Sequence, residues 1–287
     1  MPTASIVVVT DSTASLPAEL AAERGIAVLP LQVVIGADSF DEGSPHATPE
    51  RVAEALRDYR PVSTSRPSPA AFGALYDRLA RAGAKQILSV HISGDMSGTF
   101  ESAQLAARVA DVRVVCVDSR QVGVATGYAA LAAADAVGQG ASVEQAADAA
   151  KARADATFSF FYVDTLEYLR RGGRIGAAAA LRGGALAVKP ILSIEDGVVS
   201  SLEKVRTSGK ALARLAELAV EAAGSGPVDV SVAHLANPER AASLTETLTT
   251  KLADQLGGRE VWCAEVGAVL GAHVGPGTIA VCVSPHS

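Results

Sequence analysis

The chain runs to 287 residues, of which 49% are apolar and only 20% charged, a composition that builds a large aliphatic core and excludes a disordered protein. With 25 Lys and Arg against 31 Asp and Glu the formal net charge is −6. That excludes nucleic acid as the main partner, because binding a phosphate backbone requires a concentrated basic face.

The N-terminus leads directly into "SIVVVTDS" without a charged leader, and no apolar run reaches the ~18 to 20 residues of a membrane span. A cytoplasmic protein with no transmembrane segment is expected. Three βα units follow a common pattern of apolar run, polar turn and helix: "SIVVVTDSTASLPAELAAERG", "QILSVHISGDMSGTFESAQLAARVA" and "RVVCVDSRQVGVATGYAALAAADAV". Strands that are apolar on both faces belong in a parallel sheet covered by helices on both sides. Residues 1–155 are therefore expected to form a doubly wound α/β domain. Between the first two units, "IAVLPLQVVIGADSF" reads as a strand and hairpin. In "RPVSTSRPSPAAFGALYDRLARAG", Ser68 caps a helix opened by Pro69, which makes "VSTSRP" a second hydroxyl-bearing turn ahead of a helix.

The remainder, 156–287, has a different rhythm. A strand at "FSFFYV" precedes helices through "DTLEYLRRGGRIGAAAALRGG", and in "VKPILSIEDGVVSSLEKVR" the Asp-Gly pair signals a hairpin. A strand "VDVSVAHL", a helix over "NPERAASLTETLTTKLADQLGG" and strands "EVWCAEV" and "TIAVCVS" complete an α+β domain with a mainly antiparallel sheet. The expected architecture is thus α/β in two domains, with a ligand in the cleft between them. Three cysteines without close spacing, Cys116, Cys263 and Cys282, read as reduced, buried thiols. Alanine-rich helices such as "AALAAADAV" read as packing elements.

In open parallel sheets ligands bind beyond the carboxyl ends of strands, where turns enter helices with free N–H groups. Thr10, Asp11, Ser12, residues 63–65, Ser93, Ser97 and Asp118 fall at such places. In "HISGDMSGTFESAQLAA" the strand ends at Ile92, Gly94 and Gly98 let the backbone bend closely, and Ser97 or Thr99 can cap the next helix. The turn offers hydroxyls and amides but no base, which suits an anion already charged, because a carboxylate or phosphate needs donors and not deprotonation. For a single such turn, plain helix capping is an equal alternative. The isolated loop "GAHVGPG" carries His273, a possible donor to an anion, although a lone histidine is more often structural. A basic cluster in "YLRRGGRIG" and "SLEKVRTS" supplies Arg170, Arg171, Arg174, Lys204 and Arg206. Lys204 and Arg206 share a strand face, and the cluster is either solvated surface or a grip for phosphate or a partner protein.

Several stronger signals are missing: the chain has no GxxxxGK[ST], HExxH, CxxC pair or GxGxxG after the first strand, so ATP binding and a metal centre are not expected. "GDMSG" is not a hydrolase elbow, since its serine stands one position too late for G-x-S-x-G.

Six segments in order, "VTDSTASLP", "STSRPSP", "HISGDMSGTFESA", "VDSRQVG", "YLRRGGRIG" and "GAHVGPGT", together resemble the DegV family, the fatty-acid-binding subunits of bacterial fatty acid kinase, over nearly the whole chain. The resemblance implies a two-domain fold that buries one long-chain fatty acid, its carboxylate at the hydroxyl turns and its tail in an apolar tunnel. Thr64, Ser65, Ser93, Ser97, Gly98, Thr99 and His273 are the implied ligand-binding residues, with no catalytic residue and no metal. It also implies a separate kinase catalytic subunit as partner, carrying ATP and Mg, which phosphorylates the bound acid to an acyl phosphate for phospholipid synthesis. Arg170, Arg174 and Arg206 are the implied partner or phosphate contacts. Two positions depart from the family pattern: Arg66 stands where glutamine is usual, and Phe100 where tyrosine is frequent.

Physically, burying about fourteen methylenes at ~0.8 kcal/mol each gives roughly 11 kcal/mol gross, so the tail supplies affinity. Donors to the carboxylate add about 1.5 to 3 kcal/mol each and fix its orientation. Three functions remain distinguishable: a carrier that presents its ligand to a kinase; a serine-dependent lipid or ester hydrolase using Ser93 or Ser97 with His273 or His234 and Asp118; and a lipid sensor with no kinase partner.

Overall fold

The computed structural model describes residues 6–180 and 189–286. The chain begins with β1 (Ile6–Asp11), a 3-10 turn (Ser12–Ala14), α1 (Ala18–Glu23), β2 (Ala27–Leu29), β3 (Gln32–Ile35), β4 (Asp38–Asp41), α2 (Pro49–Arg57) and β5 (Val62–Ser65). It continues through α3 (Pro69–Arg81), β6 (Gln86–His91), α4 (Thr99–Ala107), β7 (Arg113–Asp118), α5 (Val124–Gly138) and α6 (Val143–Asp155). Then come β8 (Phe158–Tyr162), α7 (Glu167–Arg171), a second 3-10 turn (Gly176–Ala180), β9 (Lys189–Glu195), β10 (Val198–Val205) and α8 (Ser208–Ala223). The last elements are β11 (Val228–His234), α9 (Pro238–Lys251), α10 (Ala253–Leu256), β12 (Trp262–Glu265), α11 (Ala268–Val274) and β13 (Ile279–Pro285).

These elements form two compact units: residues 1–32 with 65–155, and residues 33–64 with 156–287. The first is built on a four-stranded sheet, β2-β1-β6-β7, parallel throughout. Val9 and Ile87 on one face pack with Phe72, Leu75 and Tyr76 of α3 and Ala103 of α4. Val8 and Leu88, which alternation turns the other way, are equally buried, and α5 and α6 pack against these strands. Helices therefore cover both faces, as the unbroken apolar runs require. The alanine-rich stretch of α5 is buried on every side from Ala125 to Ala133, where small side chains allow close approach.

The second unit holds a six-stranded sheet, β10-β9-β8-β13-β11-β12. All its pairings are antiparallel except β11 with β12. Its core joins Tyr162 and Ile191 of the sheet to Leu215 of α8 and Leu244 and Leu248 of α9. Asp196 and Gly197 turn the β9–β10 hairpin with positive φ at both positions, 51° and 82°, as an Asp-Gly turn of this type demands.

The domain boundary expected at 155 needs one correction, because residues 33–64 belong with the second unit. Two contacts explain why: Ala53 of α2 is buried in a cluster with Leu235 and Val266, and Glu42 Oε1 accepts the Val269 N–H at 2.8 Å, at the start of α11. The run 63–65 is not a turn of the parallel sheet; it is strand β5 in a separate three-stranded sheet, β4-β3-β5, and the turn before α3 begins at Arg66. Ser68 caps α3 as its sequence predicts, accepting the Ala71 N–H at 3.2 Å. Of the helices expected through 164–184, residues 181–184 lie outside the described residues, as does Val188 before β9.

Candidate functional site: hydroxyl turns and a buried histidine

In the first unit, the turn from β6 into α4 is held from both sides. Ser93 N–H donates to the Gln121 carbonyl at 2.9 Å, and Ser119 N–H donates to the His91 carbonyl at 3.0 Å, tying the turn to the one after β7. Met96 and Ser97 N–H groups then donate to the Ser93 carbonyl at 3.1 and 3.0 Å, curling the chain tightly. The Ser93 side chain is fully buried, and its Oγ accepts the Asp95 N–H at 3.3 Å. Gly94 donates to both Asp118 oxygens at 3.2 Å, and a Cβ there would stand 2.9 Å from Asp118 Oδ2.

The expected cap of α4 by Ser97 or Thr99 is replaced by another arrangement. The N-cap is Gly98, with no side-chain cap bond, while Ser97 Oγ pairs with Thr99 Oγ1 at 2.8 Å and accepts the Thr99 N–H at 3.3 Å. The two hydroxyls thus bond to each other, and Ser97 Oγ reaches the first N–H of the helix from one residue before the N-cap. Gly98 makes room for Arg66: a Cβ there would stand 1.4 Å from the guanidinium Nη1. Arg66, half-exposed, reaches on to Glu101 at 3.3 Å, so it adds positive charge over the α4 N-terminus while remaining wet. Ser65 is exposed, and its Oγ donates to the Arg66 carbonyl at 3.4 Å.

Beneath this turn lies a polar chain that the sequence reading missed. Tyr76 Oη bonds Ser89 Oγ at 2.8 Å, Ser89 Oγ bonds His91 Nε2 at 2.7 Å, and His91 Nδ1 bonds Asp11 Oδ2 at 2.8 Å. All four side chains are fully buried. The signal was present in the sequence: Ser89 and His91, two apart on an otherwise apolar strand, must point to the same face.

In the second unit, Thr64 Oγ1 meets His273 Nε2 at 2.8 Å. His273 does not sit in a loop as its glycine-rich surroundings suggest; it lies in the last turn of α11, which Gly275 ends at φ 75°. The helix forms because "AVLGAHV" buries Val269 and Ala272, and packing outweighs the low helix propensity of Gly271. Burial, with a smaller contribution from the Arg174 charge, pushes the His273 pKa down to about 4. The imidazole is therefore neutral at pH 7, and its Nδ1 finds no partner among the described residues.

The segments "YLRRGGRIG" and "GAHVGPGT" are matched surfaces of this unit. A Cβ on Gly172 would stand 2.2 Å from His273 Nδ1, one on Gly275 would stand 1.9 Å from the Tyr168 ring, and one on Gly277 would stand 2.0 Å from Asp164 Oδ2. Arg174 is part-buried and donates to the Gly172 carbonyl at 2.5 Å. Arg170 and Arg171 are exposed and pair with Glu167 at 3.4 and 2.7 Å. Lys204 lies in β10, whereas Arg206 lies one residue past the strand, exposed, so the shared strand face expected for the pair does not extend to Arg206.

The hydrolase arrangement gains no support within either unit. Ser97 pairs with a threonine, both Asp118 oxygens accept amides, and the Ser-His-Asp series formed by Ser89, His91 and Asp11 is closed to solvent. His234 is held near Glu265 at 3.9 Å in the second unit. Among the described residues no group of three or more His, Cys, Asp or Glu could hold a metal ion, and no helix is long and apolar enough to cross a membrane.

Known proteins are similar to this chain in both sequence and fold. The family model for uncharacterised proteins of the DegV family matches residues 5–286. A DegV domain-containing protein of Streptomyces coelicolor is 50% identical over 279 residues, covering 97% of this chain and 98% of the relative. The solved structure of a DegV family protein from Thermus thermophilus, described for its fatty acid binding, superposes with a TM-score of 0.90 at 33% identity, over 98% of this chain and 99% of that one. DegV of Bacillus subtilis, described as a fatty acid binding protein, gives a TM-score of 0.88 at 34% identity, again over 98% and 99%. With the family model and a half-identical relative both matching along practically its full length, the chain belongs to the DegV family.

Proposed function

We propose that this protein is a cytoplasmic carrier that binds a long-chain fatty acid and presents it to a separate kinase catalytic subunit, itself performing no turnover. The observation that supports this reading most directly is the likeness, across 98% of the chain, to two solved proteins described by their fatty acid binding. The local chemistry agrees. Ser93, Ser97, Thr99 and Thr64 are neutral hydroxyls that can donate to a carboxylate, and His273, an uncharged imidazole, can donate through the ring nitrogen that carries its proton.

An ionised carboxylate needs no general base to react. Its oxygen attacks the γ-phosphorus of an ATP carried with Mg on the kinase subunit, an O–P bond forms, the bond to the β-phosphate oxygen breaks, and ADP leaves. The carrier's contribution is then orientation by the hydroxyl turns and partner contact through Arg170, Arg174 and Arg206. Mass spectrometry of lipid extracted from the purified, denatured protein should find about one fatty acid per chain; a protein that carries none, and takes none up when offered, sinks the reading. Ser93→Ala or Ser97→Ala should weaken retention by about tenfold or more, as expected for losing a bond to a charged group. Arg206→Ala should instead lower acyl phosphate formation, trapped as the hydroxamate, with retention unchanged. Labelling of any serine by a fluorophosphonate would favour the hydrolase.

A further inference from the structure

We infer that Asp11 and His91 are positioning residues whose task is to set the Ser93 turn, an inference that rests on fatty acid binding at that turn. Asp11 ends β1 and His91 ends the neighbouring parallel strand β6. One Asp11 oxygen accepts from both Thr13 N–H, at 3.1 Å, and the Thr13 hydroxyl, at 2.5 Å. The other accepts from His91 Nδ1 at 2.8 Å and from the Ile92 N–H at 3.3 Å. Ile92 is the residue before Ser93. A single side chain therefore ties the turn after β1 to the His91–Ile92 peptide, the one that leads into Ser93.

One arrangement that satisfies every partner has His91 neutral; a second proton on its Nε2 would reverse the Ser89 and Tyr76 bonds and leave the partners unchanged. Four donors converge on Asp11, so it serves as an acceptor-only carboxylate. His91 gives its Nδ1 proton to Asp11, which leaves Nε2 to accept the Ser89 hydroxyl proton, and Ser89 Oγ in turn accepts from Tyr76. Burial raises the Tyr76 pKa well above its ordinary value, so the phenol keeps the proton it donates. Each member of the chain orients the next, and the chain ends at the Ile92 peptide.

A stability role alone does not account for this network. Taking a carboxylate fully out of water costs several kcal/mol, and well-packed apolar replacements of buried charged groups are often neutral or stabilising. What an apolar pair cannot do is hold a specific backbone N–H in place. Buried, fully bonded polar groups of this kind define one geometry among alternatives.

The test is a double-mutant cycle on fatty acid affinity, using the full chain and a fluorescent fatty acid as probe. Asp11→Asn should weaken binding by about tenfold in the native background, and by less than about twofold when Ser93 is already alanine. Its effect on the melting temperature should be equal in both backgrounds. A residue that merely stabilises the fold would weaken binding alike in both, and that additive outcome overturns the inference. Should Asp11→Asn fail to fold, Ser89→Ala and Tyr76→Phe, which release only the far end of the chain, are read in the same cycle. Amide hydrogen exchange at Ile92 and Ser93 should accelerate in these variants, and unchanged exchange there also overturns it. If the unmodified protein binds no fatty acid, the carrier reading fails; additivity in a protein that binds fails only the positioning role.

Discussion

His273 keeps its imidazole neutral because burial disfavours the cation, and the sign of the consequence follows from linkage. The unfolded chain takes up a proton near the ordinary histidine value of about 6.5, while the folded chain resists until about 4. Stability from this residue is complete above pH ~6.5 and is lost as pH falls from there to about 4, by up to about 3 kcal/mol. Denaturant titrations at pH 7, 5.5 and 4.5 should show that His273→Gln flattens this fall; an unchanged slope would place the protonation cost elsewhere. The cysteines divide in the same manner. Cys263 is exposed and Cys282 buried, while burial pushes the Cys116 thiol up to about 11. Iodoacetamide at pH 8 should label Cys263 in the native protein and all three only after denaturation, as peptide mapping would show. At this scale the sequence displays residue types but not their depth. The serines of 91–107 stand out by composition, whereas His91 looks like any lone histidine until Asp11, eighty residues away, closes on it.

Among the helices, glycine positions that look alike in the sequence differ in what surrounds them. A Cβ on Gly73 in α3 meets nothing within 4 Å, while one on Gly127 in α5 would stand 2.5 Å from the Ala14 carbonyl oxygen. Gly73→Ala should raise stability by about 0.5 to 1 kcal/mol. Gly127→Ala should lower it by about 2 kcal/mol or more, because rigid backbone must move; thermal melts compare the two. Local chemistry made Ser68, Pro69 and the Asp196-Gly197 turn readable in advance, since each carries its own conformational reason. The last turn of α11 was not readable, because the two glycines bracketing His273 signal a loop and the helix is settled by contacts with α2 and α7, far away in sequence.

At the level of the whole molecule, the alternation of strand and helix disclosed both sheet types, but not that the chain passes between the units at 32, 64 and 155. Residues 33–64 carry no marker of allegiance; the burial of Ala53 with Leu235 and Val266 and the bond from Val269 N–H to Glu42 assign them. A fragment of residues 156–287 lacks that cover and should bind a hydrophobic dye and melt without cooperativity, whereas adding 33–64 as a separate peptide should restore a cooperative transition; a fragment that folds unaided would contradict the assignment. The place of β13 carries a consequence for biosynthesis. It is the last strand of its sheet to be translated, yet it pairs with β8 on one side and β11 on the other. A nascent chain halted before Ile279 leaves two unpaired strand margins facing water, the sort of surface on which polypeptides stick to one another. Until β13 has left the ribosome this sheet cannot close, and the margins of β8 and β11 are where the incomplete chain is most open to such contacts.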